Sequence, residues 1–297
     1  MIKVKIPATS ANIGAGFDSL GLALNLYNEV EMEESDSIDI RSLDAVKVPC
    51  DSSNLIYQSA KYIFDLCDKP LSGLKIRQSN NIPMARGLGS SSACIVGGLT
   101  GANHLLGDPL GIDELVNIAA TMEGHPDNST PALLGGLVTA VLENGKVYYV
   151  KQEISDHLQF VTFIPNFELK TSFARAALPK EIPHKDGVFN LSRAALMSVS
   201  LYSEKYENLR VAADDRLHQP YRLSLISGAH EVFDMAYKLG AYAAYISGAG
   251  STLMAIVDKK NTGFLKQARK GLEELGLSAW GLHSLSIDNR GAFVEEQ

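Results

Sequence analysis

The segment Pro83-Met-Ala-Arg-Gly-Leu-Gly-Ser-Ser-Ser-Ala93 constrains this chain most. It follows a short apolar run, Leu74 and Ile76, and opens a stretch with helical spacing from Ser91 to Leu106, so it links a strand to a helix start. Glycines at 87 and 89 let backbone approach a ligand closely and accept positive φ. The helix start behind them aims free N–H groups and the positive dipole end at whatever sits there, which suits phosphate. Ser90, Ser91 and Ser92 add hydroxyls for phosphate or a magnesium ion, and Gly97, Gly98 and Gly101 permit close packing beneath the loop. The plainer alternative is a tight turn with a serine N-cap. The segment is not a Walker loop, because Gly145-Lys146 precedes valine in a turn; nor is it a dinucleotide fingerprint, because Ser92 stands where the third glycine belongs.

Two more small-residue segments accompany it. Pro7-Ala-Thr-Ser-Ala-Asn-Ile-Gly-Ala-Gly-Phe-Asp18 follows the first strand and carries Asn12 and Asp18; its plain alternative is a turn held by Asx hydrogen bonds. Ser247-Gly-Ala-Gly-Ser-Thr252 lies between two apolar runs and reads, alone, as a hairpin connection. None of the three decides a function singly.

The rest of the chain divides into two kinds of order. In the first half, Ile2, Val4 and Ile6 alternate with lysines, Leu26, Asn28, Val30 and Met32 share one strand face, and Ile38 and Ile40 mark a third strand. A helix is expected from Ser53 as N-cap, then helices over Ser91–Leu106 and Asp113–Glu123 with Asp113 as cap, then a hairpin through Asn144-Gly145. The second half reads as strand 160–164, helices 191–203 and 223–239, strands 241–246 and 252–257, helix 264–275 and strand 279–287. Without the extra helices that is strand, helix, strand, strand, helix, strand, the ferredoxin-like order. The expectation is an α+β protein of two domains, 1–153 and 154–297, divided in the polar stretch near Lys151 to His157.

Composition excludes several classes. With 27 Lys+Arg against 34 Asp+Glu the net charge is −7, which argues against nucleic acid or an anionic membrane surface as partner. No apolar run is long enough to span a membrane. The first residues read as a strand rather than a signal peptide, and Cys50, Cys67 and Cys94 are scattered without a CxxC pair, so a reducing cytoplasm is expected, without disulfides or zinc.

Taken together and in this order, the three loops resemble the GHMP small-molecule kinases. The fuller resemblance is to that family's homoserine kinase branch, carried by PATSANIGAGFDSLGLAL near the start, Glu123-Gly-His-Pro-Asp-Asn128, and Asp215-Arg-Leu-His-Gln-Pro-Tyr-Arg222, and it runs over nearly the whole chain. Departures are Ala15 where proline is usual, Ala85 where the loop often has glycine, Ser129-Thr130 for Val-Ala, and Ser251 for proline. The resemblance implies a GHMP-type N-terminal α+β domain bearing the phosphate loop in a βαβ unit, a ferredoxin-like C-terminal α/β sandwich, and a site between them. It implies ATP-dependent phosphorylation of the hydroxyl of L-homoserine in threonine biosynthesis, with Mg2+, and a homodimer. The rival readings are another GHMP kinase with a different alcohol acceptor, and a GHMP-fold sensor without turnover.

The same resemblance distributes roles. Pro83, Arg86, Gly87, Leu88, Gly89, Ser90, Ser91, Ser92 and Ala93 would cradle the nucleotide, with Asn54 at its base. Ser91 and Glu123 would hold the metal, with Ser90 or Ser92 in place of Ser91 if the loop register differs by one. Arg175 and Arg222 would take the acceptor's carboxylate, a fit for bidentate arginine, and Asn12 and Asp18 its ammonium. His125 and Thr171 would surround the same substrate. Asp127 and Asn128 stand where relatives carry a catalytic aspartate and the asparagine after it; whether Asp127 acts as a base stays open, since a base must come within about 3 Å of the hydroxyl.

Overall fold

The computed structural model describes residues 1–295. Among these, two sheets form. The larger has seven strands. Strand β1 (Ile2–Ala11) pairs antiparallel with the long β2 (Leu20–Ser35), and the register slips between Pro7 and Ala8. One end of β2 pairs with β4 (Gly73–Ser79), the other with β5 (Leu137–Glu143), which continues into its hairpin partner β6 (Lys146–Gln152). Strand β3 (Asp39–Ser42) lies parallel to β4, and helix α1 (Leu55–Leu66) is the crossover between them.

The apolar alternation of β1 buries Val4 and Ile6 and leaves its lysines at the surface. Lys3 meets Glu29 at 2.6 Å and Lys5 meets Glu295 at 2.9 Å, opposite charges on adjacent strands. Helix α2 (Ser90–Leu105) packs across the sheet beside α1; a Cβ on Gly98 would come within 2.3 Å of the Ile56 carbonyl oxygen, so glycine sets how closely the two helices approach. Helices α3 (Ile112–Glu123) and α4 (Ser129–Leu134) complete this layer.

The smaller sheet has the order β10-β7-β9-β8, from β7 (Leu158–Ile164), β8 (Ala243–Ile246), β9 (Leu253–Asp258) and β10 (Gly281–Leu285), all antiparallel. Numbered from β7, that is 4-1-3-2, as the strand and helix order predicts for a ferredoxin-like unit. Helices α9 (Ala229–Lys238) and α10 (Phe264–Glu274) carry the layer beside it. Between β7 and β8 the chain also forms α5 (Thr171–Ala176), α6 (His184–Tyr202), α7 (Leu209–Ala212) and α8 (Gln219–Leu223).

Several local expectations shift. The N-cap of α1 is Asn54 rather than Ser53, and α3 starts behind Gly111, whose N–H donates to Glu114 at 2.8 Å. The helix read over 223–239 is shorter, α9 starting only at Ala229 behind Gly228 with φ 86°, while Leu223 ends the separate helix α8. The largest departure concerns the proposed C-terminal unit of 154–297. Its end does not stay with the second sheet: β11 (Phe293–Glu295) pairs with β1. Asp288 anchors the return by accepting N–H groups of Arg290 at 2.9 Å and Gly291 at 2.6 Å and the Tyr27 hydroxyl. A three-residue strand carries too little pattern to be read from sequence.

Candidate active site

The three small-residue loops meet. Gly87 and Gly89 have φ of 75° and 71°. A Cβ at 87 would fall 2.1 Å from the Ser247 carbonyl oxygen, and one at 89 would fall 1.9 Å from Thr9 Oγ1. The phosphate loop is thus pressed between the other two segments, and only glycine fits there. Ser247 Oγ donates to the Gly87 carbonyl at 2.6 Å and pairs with Ser10 Oγ at 2.8 Å; Gly248 N–H donates to Ala11 at 3.0 Å. Ala85, at φ 51°, occupies a left-handed conformation that explains why glycine is common in this loop.

A cleft of about 340 Å³ opens over this junction. Its lining includes Arg86, Gly87, Gly89 and Ser90 to Ser92, together with Asn12, Asp18, Thr171, Arg175 and Arg222, and Glu123, His125, Asp127 and Asn128. The structure therefore gathers most residues singled out from sequence. It leaves out four. Leu88 and Ala93 are buried in the core, so their side chains face away from any nucleotide. Pro83 does not line the cleft. Asn54 is spent on folding: its Oδ1 accepts from Ile56 and Tyr57 N–H, and its Nδ2 donates to Pro49 and Gln78, so it caps α1 instead of reaching a base.

Glu123 ends α3, where the helix dipole disfavours a negative charge. Its Oε1 accepts from Ser92, which is 1% exposed, while Oε2 is buried with no partner among the described residues. Burial pushes this carboxyl up to about 7, opposed by His125 and by the Ser92 hydrogen bond. The Ser129 hydroxyl also lies close enough to favour the charged form, and a buried carboxylate oxygen with no closer donor than that fits a cation. Serine hydroxyls and a carboxylate are the hard oxygen donors magnesium takes. Ser91, the expected partner of Glu123, lies exposed in the cleft; the serine that touches Glu123 is Ser92.

Asp127 is 2% exposed, and His125 Nδ1 lies 2.7 Å from its Oδ1. Burial works against a proton on His125, but the hydrogen bond to Asp127 and the carboxylate charge outweigh it and raise the imidazole to about 8. Asn128 accepts a hydrogen bond of 2.8 Å from Thr9 Oγ1, which orients its amide. Thr9 was missed by sequence reasoning; it lies inside the first motif, but a buried threonine on a strand gives no signal of its own.

Asn12 is a scaffold as well as a wall. Its Nδ2 donates to Gly248 at 2.7 Å and its Oδ1 accepts from Asp18 N–H at 3.0 Å. Thr171 opens α5, and Arg175, on the same helix, forms a two-pronged pair with Asp18. Asp18, His125 and Asp127 each bring one ligand atom within 4.8 Å of the others. Asp18 is engaged by Arg175 and His125 by Asp127, so this group is an ion-pair network and a weaker metal candidate than Glu123. Arg222 is 2% exposed; burial, then the nearby charge of Arg175, lowers its guanidinium to about 10. Asp215 holds the start of α8, accepting N–H groups of Leu217, His218 and Gln219, and thereby sets the helix that carries Arg222.

Comparison with known proteins fits this geometry. The GHMP kinases N terminal domain matches residues 54–136, and the GHMP kinases C terminal domain matches residues 197–268. A homoserine kinase of Clostridium beijerinckii is 48% identical over 298 residues, covering 100% of this chain and 99% of that protein. One from Caldicellulosiruptor saccharolyticus is 46% identical, over 99% of this chain and 96% of the other. The crystal structure of homoserine kinase from Cytophaga hutchinsonii superposes with a TM-score of 0.88 at 28% identity, covering 99% of this chain and 97% of that one.

Proposed function

The chain belongs to the GHMP kinases, and within them to the homoserine kinases, and from that membership we propose that it transfers the γ-phosphoryl group of ATP to the side-chain hydroxyl of L-homoserine, yielding O-phospho-L-homoserine and ADP. The observation that carries this reading is a single cleft lined both by a glycine- and serine-rich helix start and by two arginines and an aspartate.

The backbone N–H groups of Gly87 to Ser92 and the α2 dipole hold the triphosphate. Glu123, with the Ser91 and Ser92 hydroxyls near it, would hold magnesium, which when bound neutralises charge on the β- and γ-phosphates. On the same cleft, Arg175 and Arg222 receive the carboxylate of the amino acid and Asp18 its ammonium. That fixes the position of the hydroxyl at the far end of a short chain, and positioning is most of what phosphoryl transfer asks of a protein. Asp127, held by His125, receives the hydroxyl proton. Asn128, held by Thr9, offers amide N–H to the moving phosphoryl group.

The test is ADP release by the purified protein with ATP and, in turn, homoserine, mevalonate, galactose and threonine. Turnover confined to homoserine is expected. Faster turnover of another acceptor, or none of any, overturns the reading.

A further inference from the structure

We infer that His218 is a positioning residue for the acceptor site: it fixes the Arg222 guanidinium against the first loop so that one edge is spent on protein and the other is left for a carboxylate. This rests on the assignment of Arg222 to the acceptor's carboxylate made above.

His218 is 0% exposed, and its two ring nitrogens face opposite chemistry. Nδ1 lies 3.2 Å from Arg222 Nη1. A guanidinium only donates, so Nδ1 is an unprotonated acceptor. Nε2 lies 2.8 Å from the Gly14 carbonyl oxygen and 3.6 Å from Asp215 Oδ2, both acceptors, so Nε2 carries the hydrogen. The ring is therefore the neutral Nε2–H tautomer, and complete burial favours the neutral form. Phe17 stacks on the imidazole, with centroids 5.2 Å apart and planes at 22°, and its ring also lies 5.2 Å from the Arg222 guanidinium. The imidazole has no room to turn away.

For Arg222 the consequence is directional. Nη1 has two N–H groups; one goes to His218 Nδ1 and the other to the Gly248 carbonyl at 3.1 Å. Nε is buried without a partner among the described residues. The Nε–H and one N–H of Nη2 point the same way on a guanidinium and form the fork that meets both oxygens of a carboxylate. His218 and Gly248 together spend Nη1 and leave that fork for the ligand. The Nε2–H bond to Gly14 also ties this arginine to the loop that carries Asn12 and Asp18. The carboxylate and ammonium ends of the acceptor are thereby held at one separation.

Two substitutions divide the functions of the ring. In His218→Gln the amide nitrogen replaces Nε2–H toward Gly14 but nothing accepts from Arg222. In His218→Asn the amide oxygen replaces Nδ1 toward Arg222 and the Gly14 bond is lost. Steady-state kinetics are run on both and on Arg222→Ala, at a temperature where circular dichroism shows every variant folded. His218→Gln is expected to raise the homoserine KM about tenfold, the scale of one hydrogen bond to a charged group. The ATP KM should stay nearly unchanged, and His218→Asn should stay nearer the parent. If Arg222→Ala raises the homoserine KM but His218→Gln does not, or if both His218 variants raise it equally, the inference fails and the carboxylate assignment stands. If Arg222→Ala leaves the homoserine KM unchanged, the assignment itself fails and this inference with it.

Discussion

Arg175 and Asp18 face each other across the cleft through two hydrogen bonds, Nη1 to Oδ2 at 3.0 Å and Nη2 to Oδ1 at 2.8 Å. One residue comes from the second half of the chain and the other from its first loop. The pair presents one charge of each sign, as a zwitterionic amino acid does. In the proposed acceptor site, an entering amino acid would replace this contact with two of its own, ammonium on Asp18 and carboxylate on Arg175. Arg175→Ala and Asp18→Asn should each raise the homoserine KM by about tenfold or more, the worth of a charge-assisted pair of bonds, with little change in the ATP KM. Kinetics with each substrate varied in turn check this; an unchanged homoserine KM would remove both residues from the acceptor site.

The buried, unpartnered oxygen of Glu123 leads to a prediction about magnesium. Glu123→Gln removes the charge, and Ser92→Ala removes the hydroxyl that orients it. Both should raise the magnesium concentration needed for half-maximal activity, Ser92→Ala by about tenfold. A magnesium titration indistinguishable from the parent protein's in both variants excludes Glu123 as the ligand.

Thr9 donates to Asn128, so under the role proposed for Asn128 it would act on the reaction through that amide. Thr9→Val keeps the shape and loses the hydroxyl, so kcat should fall about tenfold while both KM values move little. Thr9→Ser should restore most of the rate. Equal kcat in the two variants would mean the hydroxyl has no such role.

Ala85 is held at φ 51° although it is not glycine. Ala85→Gly relieves that strain and should stabilise the protein by about 1 kcal/mol, less the entropy glycine adds to the unfolded chain. For a chain of this size the net gain is at most about 2 °C in the melting midpoint, measurable by calorimetry. A lower midpoint would show the strain is absent.

Burial pushes the Cys94 thiol up to about 11, whereas Cys50 is exposed. The native state keeps the Cys94 proton in a pH range where an unfolded chain, with an ordinary thiol, releases it. Cys94 therefore contributes stability that is lost as pH rises from about 9 toward 11, and Cys94→Ala should flatten that part of the stability curve. At pH 8 a maleimide should label Cys50 first and leave Cys94 unmodified in the native protein, as peptide mapping would reveal. Cys94 is half-buried by accessible surface, and its labelling as early as that of Cys50 would contradict the raised thiol.

The parts of this site that could be read from sequence are those whose residue type and conformation go together. Glycines at 87 and 89 announce a tight loop, a serine run announces a helix start, and the order of apolar runs announces the second sheet. Asn54 shows the limit: an asparagine before a helix serves equally as N-cap or as ligand, and only its four hydrogen bonds decide. The choice of Ser92 over Ser91 as partner of Glu123 depends on one helical step of 100°, below what a loop-to-helix reading resolves. Thr9, Phe17 and His218 sit inside the quoted motifs, yet their roles come from contacts across more than a hundred residues of chain.

The return of β11 to β1 sets a schedule for synthesis. One edge of the larger sheet waits for residues 293–295, which are made long after β1. The first half of the chain therefore emerges with β1 lacking a neighbour on one side, and its lysines without Glu295. Nascent chains stalled before and after these residues should differ in protease resistance along β1. The sheet begun by the first half of the chain is thus closed by a strand that follows the whole of the smaller sheet.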